Sequence, residues 1–195
     1  LESTVKQPPG GYDLTPEADL NTADLRNQDL SNKDLNKVNF SSANLKDSKL
    51  DGVNLKEADL KNATLTNSSL KGANLEKADL ENTDLSNVSL IDATLDGVKS
   101  GGITGNPTLP DNFKLINGYI TGPKVNLSNA DFSGKDLKGI DLNGATLTGS
   151  DLTGVDLSSS NLSGVVTGGI IGDPSLTSDY KLNNGYIVGP NVDLS

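Results

Sequence analysis

The chain has 195 residues, enough for one or two ordinary domains, but only three Phe and four Tyr and no Trp or Met, which excludes a thick aromatic core. It holds no Cys and no His, so a disulfide framework, thiolate chemistry and the usual zinc sites are excluded as well. A net charge of −10, from 26 acids against 16 bases, disfavours nucleic acid and anionic membranes and leaves a basic protein surface as a suitable partner.

Residues 1–15 follow no periodic pattern, and Pro8-Pro9-Gly10-Gly11 reads as a linker or cap laid over whatever follows. From Pro16 onward a five-residue unit sets in: small, polar, Leu, polar, polar. Leucine recurs at sixteen positions five apart from Leu20 to Leu95, with Phe40 the single exception. A period of five matches neither the 3.6 of a helix nor the two of a strand. It requires a chain that turns a corner every five residues and points one large apolar side chain inward from each side. Such a thin repeated section is what a solenoid buries. Ala18-Asp19-Leu20, Ala43-Asn44-Leu45 and Ala78-Asp79-Leu80 show the unit cleanly, and Ala or Val two residues before each leucine is expected to point inward too.

The second residue after each leucine is often Asn or Gly, as at Asn27, Gly52, Asn62 and Gly72. These types tolerate the positive φ that the third residue of a type II turn requires. Lys37, Glu57 and Lys77 share that slot, and positive φ is unfavourable for them, so those corners are expected to adopt another turn type. In inward slots, Gln28 and Lys33 fall in the first coil, and Lys135 has to snorkel outward.

Residues 101–128 and 168–195 interrupt the beat and match each other at an offset of 67, which is three twenty-residue coils plus seven. Asn117-Gly118-Tyr119-Ile120 recurs as Asn184-Gly185-Tyr186-Ile187. The seven extra residues are assigned to loops at 106–112 and 173–179, with the coil resuming at Phe113 or Lys114. Val125, Ile120 and Leu115 then hold the small slot, and Gly122 and Asn117 the leucine slot. Between the two segments the beat returns at eight positions from Leu127 to Leu162, with Phe132 the exception. The first copy leads straight into those fresh repeats whereas the second stops at Ser195, so a section of a longer, modular protein with end-to-end continuation is expected.

These Ala-(Asp/Asn)-Leu units resemble the pentapeptide repeat family, whose consensus is A(D/N)LXX, over nearly the whole chain past Pro16. The resemblance implies an all-β, right-handed quadrilateral β-helix with four five-residue sides per coil. Residues 16–195 are then one solenoid of about eight coils and ~40 Å, its strands ~4.8 Å apart along the axis.

No run approaches the ~18 apolar residues of a membrane span, so no membrane insertion is expected. Serines are plentiful, but no base activates one and no G-x-S-x-G elbow occurs; no glycine run has Rossmann or Walker spacing. No catalytic residue, cofactor or metal ligand set is assigned, and the chain is read as a non-enzyme. Two surfaces remain as candidates. Pro107, Leu109, Pro110 and Asn112 with Phe113, and Pro174 and Leu176 with Tyr180, form candidate interaction loops. Asp19, Asp59 and Asp79, stacked with Asn39 at twenty-residue spacing, form an acidic stripe that could bind calcium or a basic protein. The preferred reading of the stripe is structural, because Asp and Asn beside a corner bond nearby backbone groups.

The leading function is a structural or interaction module with a protein partner. The alternative comes from family members that mimic DNA and bind type II topoisomerases such as gyrase. Duplex DNA carries about 24 charges over ~40 Å. The net −10 of this chain, with lysines scattered among its acids, falls well short of that.

Overall fold

The computed structural model describes residues 11–193. Two compact units make up the chain, Leu1–Pro110 and Asp111–Ser195.

In the first unit the twenty-residue spacing becomes a ladder of parallel bridges. Asp19 pairs with Asn39, Asn39 with Asp59, Asp59 with Asp79, and Asp79 with Lys99. Parallel columns start at Asp24, Asp29 and Asp34, so each coil has four sides of five residues. One turn of the chain shows why the unit is five residues long. Ala43 N closes the corner on Phe40 O at 2.9 Å, and Asn44 N reaches back one coil to Ala23 O at 2.9 Å. Leu45 N and Asp47 N reach forward to Thr64 O and Thr66 O at 2.8 and 3.0 Å. The remaining donor, Lys46 N, is taken by the Oδ1 of Asn44 at 3.1 Å. All five N–H groups are satisfied, four by backbone and one by the polar side chain that precedes the leucine.

The corners differ from expectation. Lys37, Glu57 and Lys77 hold φ of 54°, 58° and 57°, the same left-handed conformation as the Asn and Gly corners. The ladder dictates this: Lys37 N must donate to Lys56 O (2.8 Å) while Val38 N closes on Leu35 O (3.2 Å). Left-handed backbone at a side-chain-bearing residue costs about 1–2 kcal/mol, and the bonds on both sides over-determine it.

Inside the coils the core is as the spacing requires. Leu45, Leu65 and Leu85 are at most 1% exposed, and Ala43, Val53, Ala63 and Ala73 are equally buried. Gln28 and Lys135 lie exposed and Lys33 half-buried, so none of the three fills the interior.

The second unit repeats the ladder through Asn126–Thr146–Val166 and Asp131–Asp151–Ile171. It also carries two antiparallel hairpins. β1 (Lys114–Ile116) pairs with β2 (Tyr119–Thr121), and β3 (Lys181–Asn183) with β4 (Tyr186–Val188). Asn117-Gly118 and Asn184-Gly185 form their turns, with φ of 51° and 77°, and 49° and 79°. Two adjacent positive φ values are those of a type I′ turn.

The hairpins correct the placement of the extra residues. The 106–112 segment does not simply loop out: Thr108 bridges Ser89 in the first unit, and Ser175 bridges Asp156 in the second. Both spacings are nineteen, one short of a coil, where Gly105 and Gly172 cut the corner. A Cβ on Gly105 would lie 2.5 Å from the Ser86 backbone. The surplus of seven is absorbed further on, since Val166 pairs with Asp193, 27 residues away and across the β3–β4 hairpin. Likewise Leu115 faces Ile120 across the first hairpin instead of both lining a coil, and Asn117 turns the hairpin instead of holding a leucine slot.

Candidate interaction surfaces

The column of Asp19, Asn39, Asp59 and Asp79 is assembled by the ladder, and its side chains bond nearby backbone. Each residue gives an Oδ1 to the N–H two residues on: Asn21 (3.2 Å), Ser41 (3.0 Å), Lys61 (3.0 Å) and Glu81 (3.1 Å). Asn39 Nδ2 also donates to Asp19 Oδ1 at 2.9 Å. The Lys61 ammonium lies 3.1 Å from Asp79, and Lys99 sits 3.6 Å from Asp79 and 2.9 Å from Glu81. These contacts raise both lysines above the ordinary ammonium value, Lys61 chiefly through its bond to Asp79 and Lys99 through its bond to Glu81. The stripe is therefore balanced by cations at its Asp79 end. Among the described residues no group of three His, Cys, Asp or Glu side chains is placed to hold a metal ion.

The aromatic neighbours of the loops turn inward against glycine. The Phe113 ring stands where a Cβ on Gly122 would be, its Cδ1 2.3 Å from that point, and Tyr180 does the same over Gly189. Tyr180 Oη donates to Pro190 O at 3.3 Å. Pro174 is buried, while Pro107, Leu109, Pro110 and Leu176 are half-buried and Asn112 is exposed. The structure thus brings each aromatic onto its own hairpin and leaves Asn112 the most open of these loop positions.

The feature absent from the residue-by-residue reading is a cap made by a hairpin in the second unit. In the ladder, each bridge residue directs its N–H and C=O toward the preceding coil. At Asp131 those groups meet the first hairpin: Asp131 N donates to Tyr119 Oη at 3.4 Å, and Asn117 Nδ2 donates to Asp131 O at 2.7 Å. The Tyr119 ring packs on Phe132, centroids 5.2 Å apart and tilted by 56°. In the first unit, Asp24 N donates to Tyr12 Oη at 3.0 Å. The Asn-Gly dipeptide, a strong short-range hairpin signal, was the available clue.

The second unit also has one gap. Asp136 makes no bridge among the described residues, and that side is held by Ser160 Oγ on Leu137 O (2.9 Å) and the Lys138–Asp156 ion pair (3.5 Å). A depression of about 150 Å³ lies beside it, lined by Asp111, Asn112, Lys114, Gly139, Ile140 and Asp141. It is smaller than the several hundred Å³ usual for organic ligands.

Parallel coils, a corner every five residues and leucines stacked inside define a pentapeptide-type solenoid. Residues 18–95 match the description "Pentapeptide repeat region" and residues 126–164 "Pentapeptide repeats (8 copies)", together more than half of the chain. The protein belongs to the pentapeptide repeat family. Among solved structures it is similar to a pentapeptide repeat protein from the Arabidopsis thaliana thylakoid lumen, at 28% identity over 58% of this chain and 71% of that one, TM-score 0.43. HetL, a pentapeptide repeat protein involved in heterocyst differentiation regulation from the cyanobacterium Nostoc sp. strain PCC 7120, matches at 26% identity over 80% and 82%, TM-score 0.31. QnrB1, a plasmid-mediated fluoroquinolone resistance protein, matches at 15% identity over 91% and 88%, TM-score 0.31. No curated protein sequence gives a significant match.

Proposed function

We propose that the protein is a non-catalytic interaction module, a right-handed β-helical scaffold whose coil edges, hairpins and loops contact other proteins. The observation that carries this reading is the use of its polar side chains. The carboxylates and amides of the repeat slot are engaged with backbone N–H groups two residues on, as at Asp59 and Lys61. Where these bonds shift a carboxylate they lower it, Asp24 first through its bond to Arg26 and Asp84 first through its bond to Ser86, the reverse of the upward shift a general acid needs near neutral pH. The candidate loop residues and the acidic stripe are carried forward as contact positions, Asn112 foremost among them.

The DNA-mimic alternative is less well supported. Lys56 pairs with Glu76 at 2.9 Å, and Lys61 and Lys99 pair with Asp79, interrupting the run of negative charge a mimic would need. Cross-linking in extracts of the source cell, followed by mass spectrometry, tests the leading reading. Cross-links to another protein from Lys114, Lys181 or the loop segments support it. Their absence, with turnover of a small molecule by the purified chain, overturns it. A gyrase supercoiling assay is expected to be unaffected at micromolar protein, and inhibition there would restore the alternative.

A further inference from the structure

In the second unit, three sides of the coil at 126–145 are bonded to the next coil and one is not. Leu127 N and Asn129 N donate to Thr146 O and Thr148 O, both at 2.8 Å. Phe132 N and Gly134 N donate to Asp151 O and Thr153 O, both at 2.9 Å, and Asp151 N returns to Ala130 O at 2.9 Å. Leu142 N and Gly144 N donate to Asn161 O and Ser163 O at 3.0 and 2.8 Å. On the remaining side the corresponding donors are Leu137 N, Gly139 N and Asp156 N, and none of them has an acceptor among the described residues.

The sequence supplies a cause. Lys135 stands in the small inward slot of that side, where the next coil has the fully buried Val155. An ammonium has no partner in an aliphatic interior, so the side chain must reach water. In the first unit Lys33 does so while half-buried, and its carbonyl still accepts from Asn54 N at 2.9 Å. Lys135 is exposed, and its carbonyl, which Asp156 N would need as acceptor, has left the ladder.

The segment stays pinned at both ends. Lys135 N closes on Phe132 O (2.8 Å) and Ile140 N on Leu137 O (3.1 Å), the corner bonds of every other side. Between these pins two polar contacts cross to the next coil: Ser160 Oγ donates to Leu137 O (2.9 Å), and Lys138 pairs with Asp156 (3.5 Å). The Lys138 and Asp156 side chains are 61% and 42% exposed, so salt screens their attraction. Leu137 lies fully buried behind them.

We infer that residues 135–139 form a strap, drawn out of the ladder by Lys135, that lifts while the sides flanking it stay closed. Lifting uncovers Leu137 and presents Lys135 and Lys138 to a protease that cleaves after basic residues. Local opening of this kind is far easier than global unfolding, and it selects where a folded chain is first cut.

Amide exchange of the full chain, followed residue by residue by NMR, tests the strap. Leu137, Gly139 and Asp156 are expected to exchange about a hundredfold or more faster than Phe132, Gly134, Leu142 and Gly144. Lys135→Val places the residue of the next coil in the slot and should slow them by about tenfold or more. Asp156→Asn keeps an acceptor for Ser158 N but removes the ion pair, and should speed Leu137 and Gly139 by about two- to fivefold. Brief trypsin treatment should cut wild type after Lys135 or Lys138 before Lys37, Lys61 or Lys77, whose backbone N–H groups are all bonded. The Lys135→Val chain should resist cleavage at Lys138. Equal protection of Leu137 and Leu142 in wild type, exchange unchanged by Lys135→Val, or earlier cleavage at Lys37, Lys61 or Lys77 would overturn the proposal, and the wild-type measurements stand without either variant.

Discussion

The ring of Phe113 occupies the space a side chain on Gly122 would need, with Cδ1 2.3 Å from the position of a Cβ. The aromatic therefore locks the start of β1 against the residue that follows β2. Gly122→Ala forces the ring out and is expected to cost about 1–3 kcal/mol, the usual penalty of overpacking. Chemical unfolding followed by tyrosine fluorescence measures it. Adding Phe113→Leu should recover part of the loss, and equal stability of Gly122→Ala and wild type would refute the contact.

Leu60 is fully buried, with Leu60 N donating to Asp79 O at 2.8 Å and Leu60 O accepting from Thr83 Oγ1 at 2.9 Å. Leu60→Ala should lose about 2–5 kcal/mol through the cavity it leaves. Leu60→Lys should abolish cooperative melting of the first unit, because an ammonium there has neither water nor a counter-ion. A thermal melt by circular dichroism decides, and a Lys variant that melts with wild type would place Leu60 outside the core.

The five-residue beat made the coils legible because one constraint, a leucine on each inner side, acts on every unit alike. Asp59 and Asn44 were likewise readable as backbone-bonding residues, since their slot lies two residues before an N–H that nothing else takes. The corners at Lys37, Glu57 and Lys77 were not, because local preference disfavours a conformation that the ladder on both sides imposes. The hairpins were misassigned for a different reason. Leu115 and Ile120 keep the five-residue spacing of Val125, which does line the coil, so arithmetic fitted them there as well although Asn117-Gly118 signals a reversal. The Tyr119–Asp131 cap required knowing which backbone groups the first coil leaves open, and periodicity carries no information about that.

Ser68 sits in the small inner slot, 2% exposed, and its hydroxyl finds no partner. Thr83 in the same kind of slot bonds Leu60 O, and Ser150 bonds Leu147 O at 2.8 Å. Alanine is the common occupant of the slot, so Ser68→Ala removes a buried, unsatisfied group without opening a cavity beyond one oxygen. It should stabilise the first unit by about 1 kcal/mol, whereas Thr83→Val should destabilise it by a similar amount. Paired denaturant titrations check the opposite signs.

Glu57 occupies a corner at φ 58°. Asparagine reaches that region more readily, and Asn already stands at the corners of Asn62 and Asn67, with φ of 56° and 61°. Glu57→Asn is therefore expected to raise the melting temperature modestly, by the equivalent of about 0.5 kcal/mol. Glu57→Val, β-branched at positive φ, should lower it by more than 1 kcal/mol, on the order of the usual left-handed penalty. Melts of the two variants moving in the same direction would contradict a left-handed corner.

Acid should unfold the protein through the carboxylates that accept bonds in the repeat. Asp24 is held below the ordinary carboxylate value first by its side-chain bond to Arg26, and Asp84 first by its bond to Ser86. Asp29, Asp34, Asp131 and Asp156 are lowered in the same direction, through Ser31, Asn36, Ser133 and Ser158. A folded value below the unfolded one, about 3.9, means that the stabilisation is complete above that pH and is lost as pH falls through the lowered folded values. The melting temperature should thus be flat from neutral pH down to about 5 and fall steeply below about 4. Asp131→Asn keeps the acceptor for Ser133 N and removes the titration, so it should flatten the acid limb slightly while leaving the neutral-pH melt near wild type. A Tm that rises on acidification, as relief of the −10 net charge alone would produce, would show that these bonds do not govern stability.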